Sequence, residues 1–218
     1  MNTLDSGARY NPQTDSWGSL NRQQAPSSRR LHVAVWTGQE MLIWGGESLN
    51  NIKSGPLLIT GARYNPALNT WIPMATNGAP QPTLYSTAVW DGQEMIAFTG
   101  GTGTKRGGRY NPVTDRWAPL SVPGTPQVNS RVASVWNGHE MLLWGGLPPA
   151  IGARYNPESD LWNSMTTIGA PKARQSSAVV WTGSVMLVFG GLETSSRTLP
   201  NDVLVYSLTK PLYLYRHP

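Results

Sequence analysis

The chain has 218 residues, a formal net charge of +5 and only 13% charged residues, with 23 Gly and 18 Pro. Ten Trp and eight Tyr against two Phe exclude a disordered chain, and the absence of Cys excludes disulfides, thiol catalysis and thiolate metal sites. No apolar run reaches bilayer length, and residues 1–20 hold no apolar stretch of the kind a signal peptide needs, so the sequence assigns no compartment.

Ala8-Arg9-Tyr10 reads as a strand, Asn11-Pro12 opens a turn whose Pro pre-sets the backbone, and Trp17 starts the next strand. Leu31 to Trp36 is apolar and β-branched, too short for a helix, and bounded by Pro26 and Gly38. Thr37-Gly38 then reads as a hairpin, followed by a strand from Glu40 to Trp44 that ends at Gly45-Gly46. The segment Gly61-Ala62-Arg63-Tyr64-Asn65-Pro66 repeats the opening one, and Trp71 follows Tyr64 by seven residues, as Trp17 follows Tyr10.

The same order recurs along the chain. Val-Trp-x-Gly-x-x-Met occurs at Trp36, Trp90, Trp136 and Trp181, always 26 residues after Tyr10, Tyr64, Tyr110 or Tyr155. Asp91-Gly92 and Asn137-Gly138 occupy the hairpin position of the second and third copies, where positive φ is tolerated. From the glycine pair to the next Tyr the gap is 18, 9, 9 or 15 residues, so the large length variation sits in one connection per unit. Four short strands joined by hairpins, repeated at this period, make one blade of a β-propeller.

A glycine pair closing the second strand, then Tyr-Asn-Pro-x-x-Asp-x-Trp, resembles the kelch repeat, and Arg29-x-x-His32 resembles the start of that motif. The Trp-Thr-Gly-Gln-Glu-Met variant looks like the kelch arrays of bacterial proteins. The Gly-His…Trp-Asp signature of WD repeats is absent. The resemblance implies an all-β fold, a kelch-type propeller or partial propeller in a single domain over 1–218. Its parts are a half blade at 5–22 and four-stranded blades at 29–74, 83–120, 129–165 and 174–216. Thr99 replaces a glycine in the second copy if Phe98 aligns with Trp44; otherwise that strand carries a bulge. Arg174 matches Arg29 but Thr83 and Asn129 do not, and Tyr206 and Tyr213 lack the Asn-Pro and Trp of the other copies. Two closures are open: the N-terminal hairpin pairs with the first two strands of the last unit in a four-bladed ring, or residues 201–215 complete the last blade and leave that hairpin unpaired, with the remaining blades in sequence beyond this chain. We expect the second, since 203–206 reads as a strand in register.

Arg9, Arg63, Arg109 and Arg154 occur once per unit, a spread unlike the basic stripe that tracks a phosphate backbone, and are expected to stack on neighbouring rings. Nucleic acid is therefore disfavoured as a partner. Glu40, Glu94 and Glu140 recur at the hairpin and are expected to stabilise that turn rather than to converge as catalytic carboxylates. His32, His139 and His217 have no metal-like spacing, no nucleophile elbow is present, and no cofactor is expected. Some kelch propellers are copper-radical oxidases with a Cys–Tyr cross-link, a chemistry closed to a chain without Cys. Trp17, Trp71, Trp117 and Trp162 recur at blade spacing, as residues packed between neighbouring sheets do.

Function is expected on the face carrying the variable connections. In kelch propellers that bind peptides the strand-one entrance lines the pocket, which here implies Arg29, Arg30, His32, Arg131, Arg174 and Gln175, with Lys105 and Arg106 from the second variable connection. Arginines there suit an acidic ligand. The expectation is a non-enzymatic binding or scaffold module for a protein or glycan. The alternative is a carbohydrate-active enzyme with a pocket over the central channel, for which Glu47, Glu193 and Asp202 are the acids on offer.

Overall fold

The computed structural model describes residues 4–48, 55–100, 106–126, 131–146, 151–193, 197, 199–200, 202–207 and 214–215. The protein is all-β, and its strands group into repeated four-stranded antiparallel sheets. An N-terminal pair, β1 (Ala8–Asn11) and β2 (Ser16–Ser19), forms a sheet of its own. The first full sheet runs β3 (Val33–Trp36), β4 (Met41–Trp44), β5 (Gly61–Asn65) and β6 (Thr70–Pro73). The second is β7 (Thr87–Trp90), β8 (Met95–Phe98), β9 (Gly107–Asn111) and β10 (Arg116–Pro119). The third is β11 (Val132–Trp136), β12 (Met141–Gly145), β13 (Ile151–Asn156) and β14 (Leu161–Ser164). The last region holds β15 (Arg174–Gln175), β16 (Ala178–Trp181), β17 (Val185–Phe189), β18 (Leu192–Glu193), β19 (Val203–Ser207) and β20 (Leu214–Tyr215). Its main sheet is β16-β17-β19-β20, with β15 pairing β18 beside it. Residues near the C-terminus thus complete the last sheet, as expected, and such meanders are consistent with propeller-like blades.

Local chemistry explains the meander. The hairpin glycines Gly38, Gly92, Gly138 and Gly183 all have φ near +100°. The residue before each, Thr37, Asp91, Asn137 or Thr182, accepts the N–H of Glu40, Glu94, Glu140 or Val185 with its side chain. Asp and Asn are therefore chosen there as acceptors, rather than for positive φ. At the other turn the Asn of Asn-Pro accepts the amide two residues on, as Asn65 does from Ala67 and Asn111 from Val113. The register pairs Val33 with Trp44 and Thr87 with Phe98, so Phe98 aligns with Trp44 and Thr99 takes the place of the first glycine without a bulge.

The core lies between successive sheets. Trp117 rests on Trp44 of the preceding sheet with ring centroids 5.2 Å apart, and Trp162 on Phe98 at 5.3 Å, as the blade spacing predicts. Polar bonds stitch the same junctions. Trp71 donates through Nε1 to Asn21 O and Trp117 to Ala75 O, both at 2.9 Å. The backbone amides of Asn21, Ala75 and Ser121 return bonds of 2.9–3.0 Å to the side chains of Asn69, Asp115 and Asp160. Those same groups accept the hydroxyls of Tyr64, Tyr110 and Tyr155.

Two expectations are corrected here. The repeated arginines do not stack on rings: Arg9, Arg63 and Arg109 donate to the carbonyls of Pro66, Pro112 and Pro157, each in the following unit. The repeated glutamates do not hold the hairpin with their carboxylates. Glu40, Glu94 and Glu140 face Arg63, Arg109 and Arg154 at 3.4–3.5 Å, and it is their backbone amides and carbonyls that stabilise the turn. A half-buried guanidinium between a carboxylate and a carbonyl meets acceptors that a ring face would not supply, although the buried Nε of Arg63, Arg109 and Arg154 makes no hydrogen bond.

Candidate functional site

The first strands of successive sheets are neighbours: β3 packs beside β7, β7 beside β11, and β11 beside β16. The hydroxyls of Thr87 and Ser134 hydrogen-bond across two of these strands at 2.5 Å. The expected strand from Leu31 begins only at Val33, because the chain enters it through a left-handed residue. Leu31, Tyr85, Arg131 and Ser176 have φ of +57°, +66°, +58° and +55°, and each lies five residues before the strand-one Trp of its unit. None is Gly or Asn, so each carries a backbone cost of roughly 1–2 kcal/mol.

The glycine pairs help to hold this geometry. Arg30 and Glu47 exchange backbone bonds of 3.0 Å across the first pair, and a Cβ on Gly46 would collide with the backbone of Arg30 and His32. In the last unit, β15 and β18 make the equivalent bridge between Gln175 and Leu192. A polar residue seven positions before the strand-one Trp anchors each of three entrances. Arg29 donates to Gly45 O, Thr83 to Thr99 O, and Arg174 to Gly190 O.

Two predicted site residues are thereby committed to the fold. Arg29 is buried and also donates to Ser27 O, Ser27 Oγ, Thr60 O and Thr60 Oγ1. Arg174 is buried against Asp202 at 2.8 Å. Arg30 is different: its side chain is 44% exposed while its partner Glu47 is almost wholly buried, at 2.6 Å. His32 keeps one side in solvent, and loss of water on its packed side, then the charge of Arg29, hold its pKa below the ordinary 6.5. Arg106 reaches toward Pro126 O at 3.5 Å. Lys105 and most of the variable connections (49–54, 101–105, 147–150, 194–196, 198 and 201) lie outside the described residues.

Arg131 and Gln175 are brought together, with a residue the sequence reasoning passed over. The Arg131 guanidinium donates to Gln175 Oε1 at 2.8 Å and to the Tyr85 hydroxyl at 2.7 Å, and its carbon lies 4.1 Å from the Tyr85 ring centroid. One side chain thus joins the entrances of the second, third and last units. Tyr85, Leu31 and Ser176 share the repeat position of Arg131, and counting back from each strand-one Trp would have found them. The resulting mouth offers guanidinium edges, a phenol, a carboxamide and the exposed Ser176 hydroxyl, groups suited to binding by hydrogen bonds.

Among the described residues no group of three His, Asp or Glu is placed to hold a metal ion, and no helix is long and apolar enough to cross a membrane. No protein-family model matches the chain, and a search of curated proteins finds no significant similarity.

Proposed function

We propose that the four-stranded units are kelch-type blades of a β-propeller and that the chain is a non-enzymatic binding module. It recognises a protein or glycan bearing acidic groups at the mouth formed by the strand-one entrances. The observation that carries this reading is the set Leu31, Tyr85, Arg131 and Ser176: one strained backbone conformation, repeated in every unit, presenting four different side chains. A purely structural position would repeat its chemistry, as the Tyr–Asp pairs do. Strain held constant while the side chain varies is the behaviour of a recognition surface on a fixed scaffold.

The acids available to the enzymatic alternative are engaged elsewhere. Glu47 faces Arg30, Glu193 faces Lys172 and Asp202 faces Arg174. The repeated arginines, which would serve a nucleic-acid partner, face glutamates and proline carbonyls. The test is an array of glycans and acidic peptides probed with the wild type beside Arg131→Ala. The proposal expects hits that weaken at least tenfold in the variant.

A further inference from the structure

A groove recurs where successive units meet, at the end of strand one away from the mouth. Its walls are the hairpin of one unit and the strand-one Trp and Asn-Pro turn of the next. Between the first and second full sheets it is bounded by Thr37, Glu40, Arg63, Trp90, Gln93 and Val113. Between the second and third, the same repeat positions hold Asp91, Glu94, Arg109, Trp136, His139 and Glu158, around a cavity of about 290 Å³. Sites for drug-sized ligands run to roughly 300–1,000 Å³, so a cavity of this size suits one long side chain.

Part of this set belongs to the scaffold. Glu94 faces Arg109 as Glu40 faces Arg63, both at 3.5 Å. Arg109 donates to Pro157 O as Arg63 does to Pro112 O. Trp136 and Trp90 each rest one side on the core of their junction and leave the other beside the groove.

What changes between the two grooves is charge. Asp91 stands where the first has Thr37, and Glu158 where it has Val113. The first groove therefore sets one carboxylate against one guanidinium, and the second sets three against one. The fold does not require the two added acids. Thr37 and Asn137 accept at their hairpins the same amide that Asp91 accepts at its own. Val113, the counterpart of Glu158, is 90% exposed and so is not a packing position. Neither Asp91 nor Glu158 forms an ion pair among the described residues. Two uncompensated carboxylates thus flank an indole in a concave site, on a chain whose net charge is +5. Carboxylates offer charge-assisted acceptors and an indole offers its negative face, and a cation is served by both.

We infer that this groove binds an arginine side chain of a partner polypeptide, its guanidinium lying against Trp136 and donating to Asp91 and Glu158. A planar guanidinium can stack on an indole while its fork addresses two carboxylates, which a compact ammonium does less well. The site is separate from the mouth formed by Tyr85 and Arg131, and its ligand carries the opposite charge.

The test titrates N-acetyl-Gly-Ser-Arg-Ser-Gly-amide into the nitrogen-15-labelled protein and follows the indole N–H signals, with Trp136→Phe assigning its own. A second peptide carries citrulline for Arg, which keeps the shape and removes the charge. Expected are a saturable shift of the Trp136 signal by the first peptide and at least tenfold weaker binding of the second. Asp91→Asn combined with Glu158→Gln removes both charges at nearly constant shape and weakens the arginine peptide at least tenfold. Asn137 shows that such a hairpin accepts Asn, and the unfolding midpoint reports that the fold is kept. Arg131→Ala binds the peptide as the wild type does. The inference is overturned if binding is absent, is equal for the two peptides, survives the double substitution, or is lost in Arg131→Ala. Argininamide binding as tightly as the peptide would overturn the polypeptide partner in favour of a small cation. Self-association without peptide, abolished by the double substitution, would overturn it in favour of a second copy of the chain.

Discussion

Arg63 donates a 2.5 Å hydrogen bond to the carbonyl of Pro112, 49 residues further along the chain, while Glu40 lies 3.5 Å from the same guanidinium. The bond joins two sheets that local sequence does not connect, and Arg109 repeats it with Pro157. In a chain of stacked units, stability resides largely in such nearest-neighbour junctions. Arg63→Ala is therefore expected to cost about 1–3 kcal/mol, since it leaves a carboxylate and a carbonyl short of a charged donor. Arg9→Ala removes an exposed version of the same bond and should cost less than about 1 kcal/mol. Urea unfolding of the two variants, compared at equal slope, measures the difference.

The tryptophans divide by the same logic. Trp117 is buried, packs on Trp44 and donates to Ala75 O. Trp117→Phe should cost about 1 kcal/mol for the lost bond, plus a smaller packing term, and Trp117→Ala about 3–5 kcal/mol. Trp17→Ala, at a 72% exposed position, should stay within about 0.5 kcal/mol of the wild type. Thermal unfolding followed by near-ultraviolet circular dichroism separates the cases.

Gly78 has φ +79°, and a Cβ there would lie 3.0 Å from Trp117 O. Gly92 has φ +106° with open space around it. Both substitutions to Ala pay backbone strain of about 1 kcal/mol, but Gly78→Ala must also displace the junction backbone and is expected to be the more damaging by about 1 kcal/mol or more. Equilibrium denaturation of both variants decides it.

Tyr110 and Tyr155 are fully buried, and burial, then the bonds to Asp115 and Asp160, raise their pKa well above the ordinary 10. A raised folded value means that the unfolded chain loses the phenolic proton first. Their contribution is complete below pH 10 and is lost as pH climbs above it, at up to about 1.4 kcal/mol per pH unit for each tyrosine. Tyrosinate absorbance at pH 10–11 should therefore omit these two residues until the protein unfolds. Tyr110→Phe and Tyr155→Phe together should flatten the alkaline fall in stability.

Much of the scaffold was readable in the sequence because its causes are local. A glycine after Thr37 or Asp91, an Asn before Pro, and Trp at fixed spacing act within a few residues and recur in each copy. The junction arginines were not readable in this way. Their partners lie 48–57 residues away, and a guanidinium beside aromatic residues looks equally suited to stacking. The mouth was half readable. Arg131 and Gln175 stand out as polar residues ahead of strand one, but nothing local marks Leu31, Tyr85 or Ser176 as left-handed, since none is a residue that favours positive φ. Arg29 and Arg174 were legible as important and misleading as to why: burial among backbone carbonyls and Asp202 makes them anchors of the entrance.

The binding account is tested most directly by comparing two faces of one folded protein. Wild type, Tyr85→Ala, Arg131→Ala and a hairpin-face control, Gln93→Ala, are applied to the same array of glycans and acidic peptides, with their unfolding midpoints measured in parallel. The account predicts that Tyr85→Ala and Arg131→Ala weaken every hit at least tenfold, while Gln93→Ala leaves the pattern unchanged. Equal binding by Arg131→Ala and the wild type, with the fold intact, would contradict it.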